Sequence, residues 1–402
     1  MTRPLRIGIV TDGLEEQRRD GTVEIANGGV GVYIYNLIKH LRLVDEVNEY
    51  TLIRCGVGHL DVYDSERSHN VFFRTGSAAH DRNLMTRALS ALATPAARLL
   101  DLDLPRVAAG LDVIHYPNQF GGAFLPPSIR RLITVHDITP LLLPRLHPRF
   151  RVVGHRLLIR RSLRRAHRII VQAAHTARDL ADRGLADHSK ISVVPLGVDT
   201  RFHPGIRTAE FAARYDLPSR FVLNVGVLEP RKNHGALLSA LRLLHRRGET
   251  LALVIVGREG WRWRDPLASP ELAPLRPWVR IVRNVPDADL PEFYCRAQAF
   301  AYPSFYEGFG LPILEAMASG VPVVTSNTSS LPEVAGGAAL LADPGDASAL
   351  ADHLLSVVRD ASLRRQLVDA GLDHVRRYSW RRTAEQTLAL YEDVCRGVVA
   401  RA

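Results

Sequence analysis

Short apolar runs alternate with longer segments of helical periodicity along the whole chain, a pattern that predicts wound α/β architecture with parallel sheets. In the first half these runs place strands at 6–10, 50–54, 113–115, 131–135, 169–171 and 191–194. A second series follows, with strands at 221–225, 251–256, 279–281, 299–302, 321–325 and 339–341. Between the two, residues 197–205 lack periodicity and are rich in turn formers, which predicts an interdomain linker. The expected division is an N-terminal domain over 1–200, a second domain over 206–378 and a terminal segment over 379–402. The pattern over 363–402 is helical, with Trp380 and Tyr391 on an apolar stripe, and its last part is expected to pack back towards the N-terminal domain. Two similar wound halves, with no short repeat, place a cleft between them.

Composition narrows the class. At 402 residues the chain exceeds one ordinary core, and 46% hydrophobic with 23% charged residues excludes disorder or a fibre. Cys55, Cys295 and Cys395 are far apart, which supports neither a disulfide framework nor a zinc site and fits a reducing compartment. Residues 1–13 run almost directly into a strand, leaving no room for the apolar core of a signal peptide. No apolar run approaches the roughly 18 residues of a membrane span. A cytoplasmic location is therefore expected, with peripheral contact at the inner membrane face. Much of the net charge of +10 is local: residues 138–178 contain ten arginines and no Asp or Glu. Within 145–168, Arg156, Arg160, Arg161, Arg164, Arg165 and Arg168 alternate with Leu157, Leu158, Ile159 and Leu163. Such a basic amphipathic stretch reads as a surface for anionic lipid or another polyanion, or else as a solvated helix face. Nucleic acid is not expected, because no aromatic-interleaved basic segment accompanies the charge.

The candidate chemistry is concentrated in four places. Glu307 and Glu315 stand eight residues apart across a Gly-rich turn that enters a helix. Pro312 suits the first helical position and Gly320 the stop, so the helix is expected at 312–319, with Glu307 in the loop and Glu315 one turn inside. Gly308 and Gly310 let a ligand approach the main chain, where free N–H groups and the helix dipole favour phosphate. Carboxylates beside an anion site suggest hydroxyl recognition, and a sugar nucleotide presents both chemistries; a helix with a polar first turn also fits. Arg231 and Lys232 follow the buried strand at 221–225 and precede a helix with Asn233 as candidate N-cap. Two cations at the positive end of a helix need a compensating anion, and a diphosphate fits. Asn27-Gly28-Gly29-Val30-Gly31 is not the dinucleotide fingerprint, but it permits close approach of a phosphate or sugar, or tight helix packing. His136 follows the strand at 131–135, at the carboxyl end where ligands bind in open α/β sheets. Asp101-x-Asp103 and Asp287-x-Asp289 read as turn and capping residues rather than metal pairs. No nucleophile elbow, Walker loop, zinc-protease helix or kinase set is present.

Taken in order, Gly28-Gly29-Val30-Gly31, His136-Asp137, Gly226 to Arg231-Lys232-Asn233 and Glu307 to Glu315 resemble the family-four retaining glycosyltransferases over nearly the whole chain. The resemblance implies GT-B architecture, with two Rossmann-like parallel-sheet domains facing a central cleft. It implies a hexosyltransferase with a nucleotide sugar as co-substrate and no metal or other cofactor, mannose from GDP-mannose being the first expectation. The acceptor implied is a glycan or lipid-linked saccharide. By the same resemblance Arg231 and Lys232 bind the donor diphosphate, Glu315 the ribose and Glu307 the transferred sugar. Main chain at Phe309, Gly310 and Leu311, beside Gly308, contacts the sugar and its phosphates. His136 faces the donor sugar from the N-terminal domain, and Gly29 lies near the phosphate and acceptor. Gln172-Ala173-Ala174-His175 departs from the Ser-Glu-rich segment common at that point of the family. Because Glu307 is given a hydroxyl-binding role, front-side attack is expected rather than double displacement through a carboxylate nucleophile. A sugar-nucleotide isomerase on the same architecture and a non-catalytic sugar-nucleotide binding protein are the competing readings.

Overall fold

The computed structural model describes residues 3–11, 15–17, 23–25, 28–55, 68–73, 110–119, 129–205 and 208–397. Asn27 and the Asp101-x-Asp103 pair lie outside the described residues. In the first half the strands are β1 (Arg6–Val10), β2 (Glu15–Gln17), β3 (Val23–Ile25), β4 (Glu49–Cys55), β5 (Ser68–Phe73), β6 (Val113–Tyr116), β7 (Arg130–Val135), β8 (Arg168–Val171) and β9 (Ile191–Val193). Seven of them form a parallel sheet in the order β5-β4-β1-β6-β7-β8-β9, while β2 and β3 pair as an antiparallel ribbon. The second half adds β10 (Phe221–Val225), β11 (Ala252–Val256), β12 (Val279–Val282), β13 (Ala299–Tyr302), β14 (Val323–Ser326) and β15 (Ala339–Ala342). They form a second parallel sheet in the order β12-β11-β10-β13-β14-β15.

Each predicted strand overlaps one of these, and β5 and the β2–β3 ribbon were not anticipated. β5 begins Ser-His-Asn before its apolar end, so an edge strand of this composition carries little of the buried-strand signal. Both sheets are doubly wound, and in each the order reverses beside the first strand, at β1/β6 and at β10/β13. Ligand crevices form outside the carboxyl ends of strands at such switch points. That rule already places the loops after β10 and β13 at the cleft.

Alternate strand residues feed different cores, as the two-residue period requires. Ile7, Leu132 and Ile170 face one core, whereas Val10, Ile133 and Ile169 face another on the opposite side of the N-terminal sheet. The first of these continues through Trp380, Ala384 and Tyr391 into the inner face of the C-terminal sheet, including Phe221, Leu223 and Phe300. The terminal pattern at 363–402 forms two helices, Ala361–Val375 and Trp380–Arg396, with Ser379 accepting a hydrogen bond from Arg382 N as the cap of the second. The second helix packs beside Gly29–Val44 on the N-terminal sheet, and the Tyr391 hydroxyl lies 2.7 Å from His115 Nδ1.

The basic stretch divides into parts with different environments. Arg145 and His147 meet the C-terminal domain, where Arg262 donates to the Arg145 carbonyl at 2.6 Å and Trp261 stacks on His147. Helix Arg149–Arg165 buries Val152, His155, Ile159, Ser162 and Leu163. Its outer face exposes Phe150 by 74%, Val153 by 53% and Leu157 by 71%, so Leu157 does not join the core. Arg168 is not part of the helix: it opens β8, is buried, and donates to the Ser189 carbonyl at 2.6 Å. Among the described residues no helix is long and apolar enough to cross a membrane.

Candidate active site

The loop after β10 makes one 3-10 turn, Pro230–Lys232, before helix His234–Arg246. Asn233 stands at the N-cap position, but in the left-handed conformation and without a side-chain cap bond. Its amide instead donates to the carbonyls of Pro303 and Pro344 at 3.1 and 2.7 Å, tying the loop after β10 to those after β13 and β15. Of the two preceding cations Lys232 is buried and Arg231 partly buried, and both are paired. Arg231 lies 2.5 Å from Glu307 Oε2 and 2.6 Å from Glu229 Oε1, and donates to the Tyr306 carbonyl at 2.6 Å. Lys232 Nζ lies 2.8 Å from Glu307 Oε1 and 2.5 Å from the Tyr302 hydroxyl.

Two cations are thus matched by two carboxylates, Glu229 and Glu307. The anion that Arg231 and Lys232 were expected to need is supplied within the fold. Burying ions costs several kcal/mol each unless they are paired and hydrogen-bonded, which is why the network is dense. Burial opposes ionisation of Glu307, but the charges of Arg231 and Lys232 outweigh it and hold the carboxyl down at about 2. Burial likewise disfavours the Arg231 cation, yet Glu307 and Glu229 keep it protonated. At Lys232 burial dominates and lowers the pKa, while at Glu229 burial dominates and raises it. The second Glu229 oxygen is buried without a protein partner.

Glu315 has a different environment. Helix Leu311–Ala318 begins one residue earlier than expected, so Pro312 takes its second position, and Gly310 at the N-cap has φ +106°, a region that favours glycine. The helix continues directly from the Glu307 loop, and its Ile313 N–H donates to the Gly310 carbonyl at 2.9 Å. Glu315, inside the helix, accepts from the Tyr294 hydroxyl at 2.8 Å. Burial raises its pKa to about 7, with Tyr294 and Arg201 only partly opposing. The loop itself is held by the C-terminal domain: Glu307 N donates to Ser329 Oγ at 3.0 Å, and Ser330 Oγ lies 2.8 Å from the carbonyls of both Glu307 and Phe309.

The opposite wall comes from the N-terminal sheet. A Cβ on Gly308 would sit 1.7 Å from the His136 carbonyl oxygen, so glycine is what permits the two domains to touch there. His136 Nε2 lies 2.9 Å from the Pro117 carbonyl; a carbonyl only accepts, so this nitrogen carries the proton and Nδ1 is left as an acceptor. Burial lowers the His136 pKa, so the ring is neutral. Gly29 is the first, exposed residue of helix Gly29–Val44, and Gly28 lies near Arg258 of the C-terminal domain.

Helix Ala174–Asp182 completes the contact. Its Ala174 and His175 N–H groups donate to the Glu333 carboxylate at 2.7 and 3.1 Å, Thr176 Oγ1 donates to the Gly308 carbonyl at 3.2 Å, and the Tyr306 hydroxyl bonds Asp179. The departing segment at 172–175 therefore docks through its main chain. The structure brings His136, Arg231, Lys232, Glu307 and Gly308 into one connected group and seats Glu315 separately, under Tyr294. Glu229, Tyr294, Tyr302, Thr176 and Glu333 are contributors that sequence reasoning missed. Only the position of Glu229, two residues before Arg231 in the same loop, offered a local signal. Among the described residues no group of three or more His, Cys, Asp or Glu could hold a metal ion.

Comparison with known proteins finds two matching family models. The family described as "Glycosyltransferase Family 4" matches residues 27–202, and "Glycosyl transferases group 1" matches residues 207–374. The O-antigen chain mannosyltransferase B of Escherichia coli is 33% identical over 374 residues, covering 90% of this chain and 96% of that protein. A D-inositol 3-phosphate glycosyltransferase of Salinispora arenicola is 28% identical, covering 97% and 92%. Among solved structures, the sucrose-phosphate synthase of Thermosynechococcus elongatus has a TM-score of 0.72 at 20% identity, covering 98% of this chain and all of that one. Anabaena HepE in complex with UDP and glucose has a TM-score of 0.73 at 17% identity, covering 97% and 100%.

Proposed function

The chain belongs to glycosyltransferase family 4 and carries the GT-B fold, and we propose that it moves mannose from GDP-mannose to a glycan or lipid-linked saccharide with retention at the anomeric carbon. The observation that carries this reading is the buried Glu229–Arg231–Glu307–Lys232 network set beside the first turn of helix Leu311–Ala318. Arg231 and Lys232 bind the donor diphosphate, assisted by main chain at Phe309, Gly310 and Leu311. Because their carboxylate partners already hold them in place, little reorganisation is needed as charge develops on the leaving group, and this pre-organisation is the main source of electrostatic catalysis. Oriented N–H donors of Arg231, Lys232 and the helix first turn stabilise the departing diphosphate on this reading, and no metal is invoked.

Glu307 reads hydroxyls of the transferred sugar. Both of its oxygens are engaged by Arg231 and Lys232, which favours front-side attack over a covalent glycosyl–Glu307 intermediate. Glu315 anchors the ribose, and the neutral His136 offers Nδ1 to a sugar hydroxyl. Gly29 lies on the phosphate and acceptor side. The relative named as a mannosyltransferase supports the choice of mannose. The arginines and exposed apolar residues of Arg149–Arg165 support contact with an anionic membrane bearing the acceptor.

The test is to incubate the protein with GDP-mannose, UDP-glucose and other nucleotide sugars, with EDTA present, and follow nucleotide release and product configuration by NMR. GDP release that depends on added acceptor, with the new linkage in the donor's configuration, is the expected result. Release from UDP-sugars alone would reassign the donor, and an inverted linkage would overturn the mechanism.

A further inference from the structure

A second polar group lies beside His136 and shares no residue with the charged network. Tyr33 of helix Gly29–Val44, His115 of β6, Thr134 of β7 and Tyr391 of helix Trp380–Arg396 are all fully buried. Their polar atoms form one chain. The Tyr391 hydroxyl lies 2.7 Å from His115 Nδ1, His115 Nε2 lies 2.8 Å from Thr134 Oγ1, and Thr134 Oγ1 lies 3.1 Å from the Tyr33 hydroxyl. Burial, and to a lesser degree the neighbouring His136, hold the His115 pKa down at about 3, so its ring is neutral. A neutral imidazole donates at one nitrogen and accepts at the other. Of Tyr391 and Thr134, one therefore donates to the ring and the other accepts from it, and losing either hydroxyl strands a buried nitrogen.

This chain reaches His136 by two routes. Tyr33, its hydroxyl fixed by Thr134, sets its ring edge-on to the His136 ring, with centroids 5.1 Å apart and planes at 79°. His115 stands two residues before Pro117, whose carbonyl takes the Nε2 proton of His136 at 2.9 Å. Thr134 stands two residues before His136 itself, at the end of β7. The carbonyl that selects the His136 tautomer and the ring that sets its plane are thus both tied closely to the buried chain. The far end of that chain belongs to the helix that follows the C-terminal domain. Just before this helix, Tyr378 sets its ring edge-on to Phe309 of the Glu307 loop, with centroids 6.1 Å apart. The terminal segment therefore touches both walls of the cleft.

We propose that Tyr391 is a positioning residue for His136, acting through His115, Thr134 and Tyr33 to hold the ring with its proton on Nε2 and Nδ1 free to accept. The inference rests on the transferase reading only for what Nδ1 accepts from, a hydroxyl of the sugar; the hold on the ring stands without it. A residue of this kind contributes orientation. Its loss therefore acts on turnover and leaves donor binding, which the C-terminal wall supplies on that reading, nearly unchanged.

The test compares Tyr391→Phe, which removes one hydroxyl and keeps the ring, with the unaltered protein. Without donor, NMR of the His136 ring nitrogens should show the Nε2–H tautomer alone in the unaltered protein and a mixture of both tautomers in the variant. In steady-state kinetics kcat should fall by up to about tenfold, no more than His136→Ala costs, with the donor KM nearly unchanged. Joined to His136→Ala, Tyr391→Phe should cost nothing further in kcat, because no ring is left to position. Thr134→Val cuts the same chain at its middle and takes the place of Tyr391→Phe should that variant lose its fold. A single tautomer retained in the variant, or a kcat loss that persists in the His136→Ala background, would overturn the proposal. Should the unaltered protein turn over no donor, the transferase reading fails by itself, and the ring nitrogens still decide whether Tyr391 holds His136.

Discussion

The cleft has two walls built on the same strand plan, yet they present different chemistry. From the C-terminal domain come side chains: Arg231, Lys232, Glu229 and Glu307 in one buried network, and Glu315 under Tyr294. Among the described residues the N-terminal domain presents the neutral His136 ring, its main-chain carbonyl, and the amino end of helix Ala174–Asp182 with Thr176 and Asp179. Fixed charge suits a fixed diphosphate, whereas hydrogen-bonding groups of the second kind suit variable hydroxyls. The contrast teaches that buried fixed charge is concentrated in the C-terminal wall, and that the N-terminal wall meets it by contact; on the proposed reading, the donor is held mainly by the first.

Five substitutions test that contrast, from the largest expected effect to the smallest. Lys232→Ala should lower kcat/KM by roughly 10²–10³-fold, the usual loss for a group that stabilises developing charge, and should abolish thermal stabilisation by the donor. Steady-state kinetics and melting curves check both; a smaller loss than that of His136→Ala would reverse the roles of the walls. Next, the two glutamates should respond oppositely to acid. Glu315 has its pKa raised to about 7 from 4.5, so the folded state binds its proton more tightly and stability falls as pH rises from about 4.5 through 7, by about 3 kcal/mol. Glu315→Gln should remove this slope in denaturant titrations of the donor-free protein. Glu307, lowered to about 2, adds stability above about 4.5 that is lost as pH falls towards 2, and Glu307→Gln should flatten that acid limb instead.

His136→Ala should reduce kcat by about tenfold, the worth of about one hydrogen bond, and leave donor affinity nearly unchanged. An equal loss in donor affinity would place His136 with the charged wall. The smallest effect is expected for Glu333→Gln, which weakens the carboxylate cap on helix Ala174–Asp182 by about 1 kcal/mol or less. Hydrogen exchange at the Ala174 and His175 amides should quicken, with turnover changed less than fivefold.

Much of this arrangement is legible in the chain itself. Apolar runs such as Phe221–Val225 and Ala252–Val256 are buried at every position, so they declare parallel strands by composition alone. Pro312 and Gly320 delimit the Glu315 helix to within one residue, because capping chemistry is local. The edge strand β5 was not legible, since its polar start does not depart clearly from its surroundings. Arg168 was assigned to the basic helix because periodicity cannot distinguish an arginine on a helix face from one buried at a strand start.

The sequence by itself determined the wound halves, the linker and the residue types at the cleft, because those follow from interactions within a few residues along the chain. Only the tertiary structure decided the state of each group. It paired Lys232 with Glu307 across 75 positions and Thr176 with Gly308 across 132, and it sank Glu315 beneath Tyr294. Ionisation depends on burial and on charges within a few ångströms in space, so one motif yields a carboxylate held down at about 2 and another raised to about 7. No spacing along the chain carries that information, because it is created when distant strands bring their loops together.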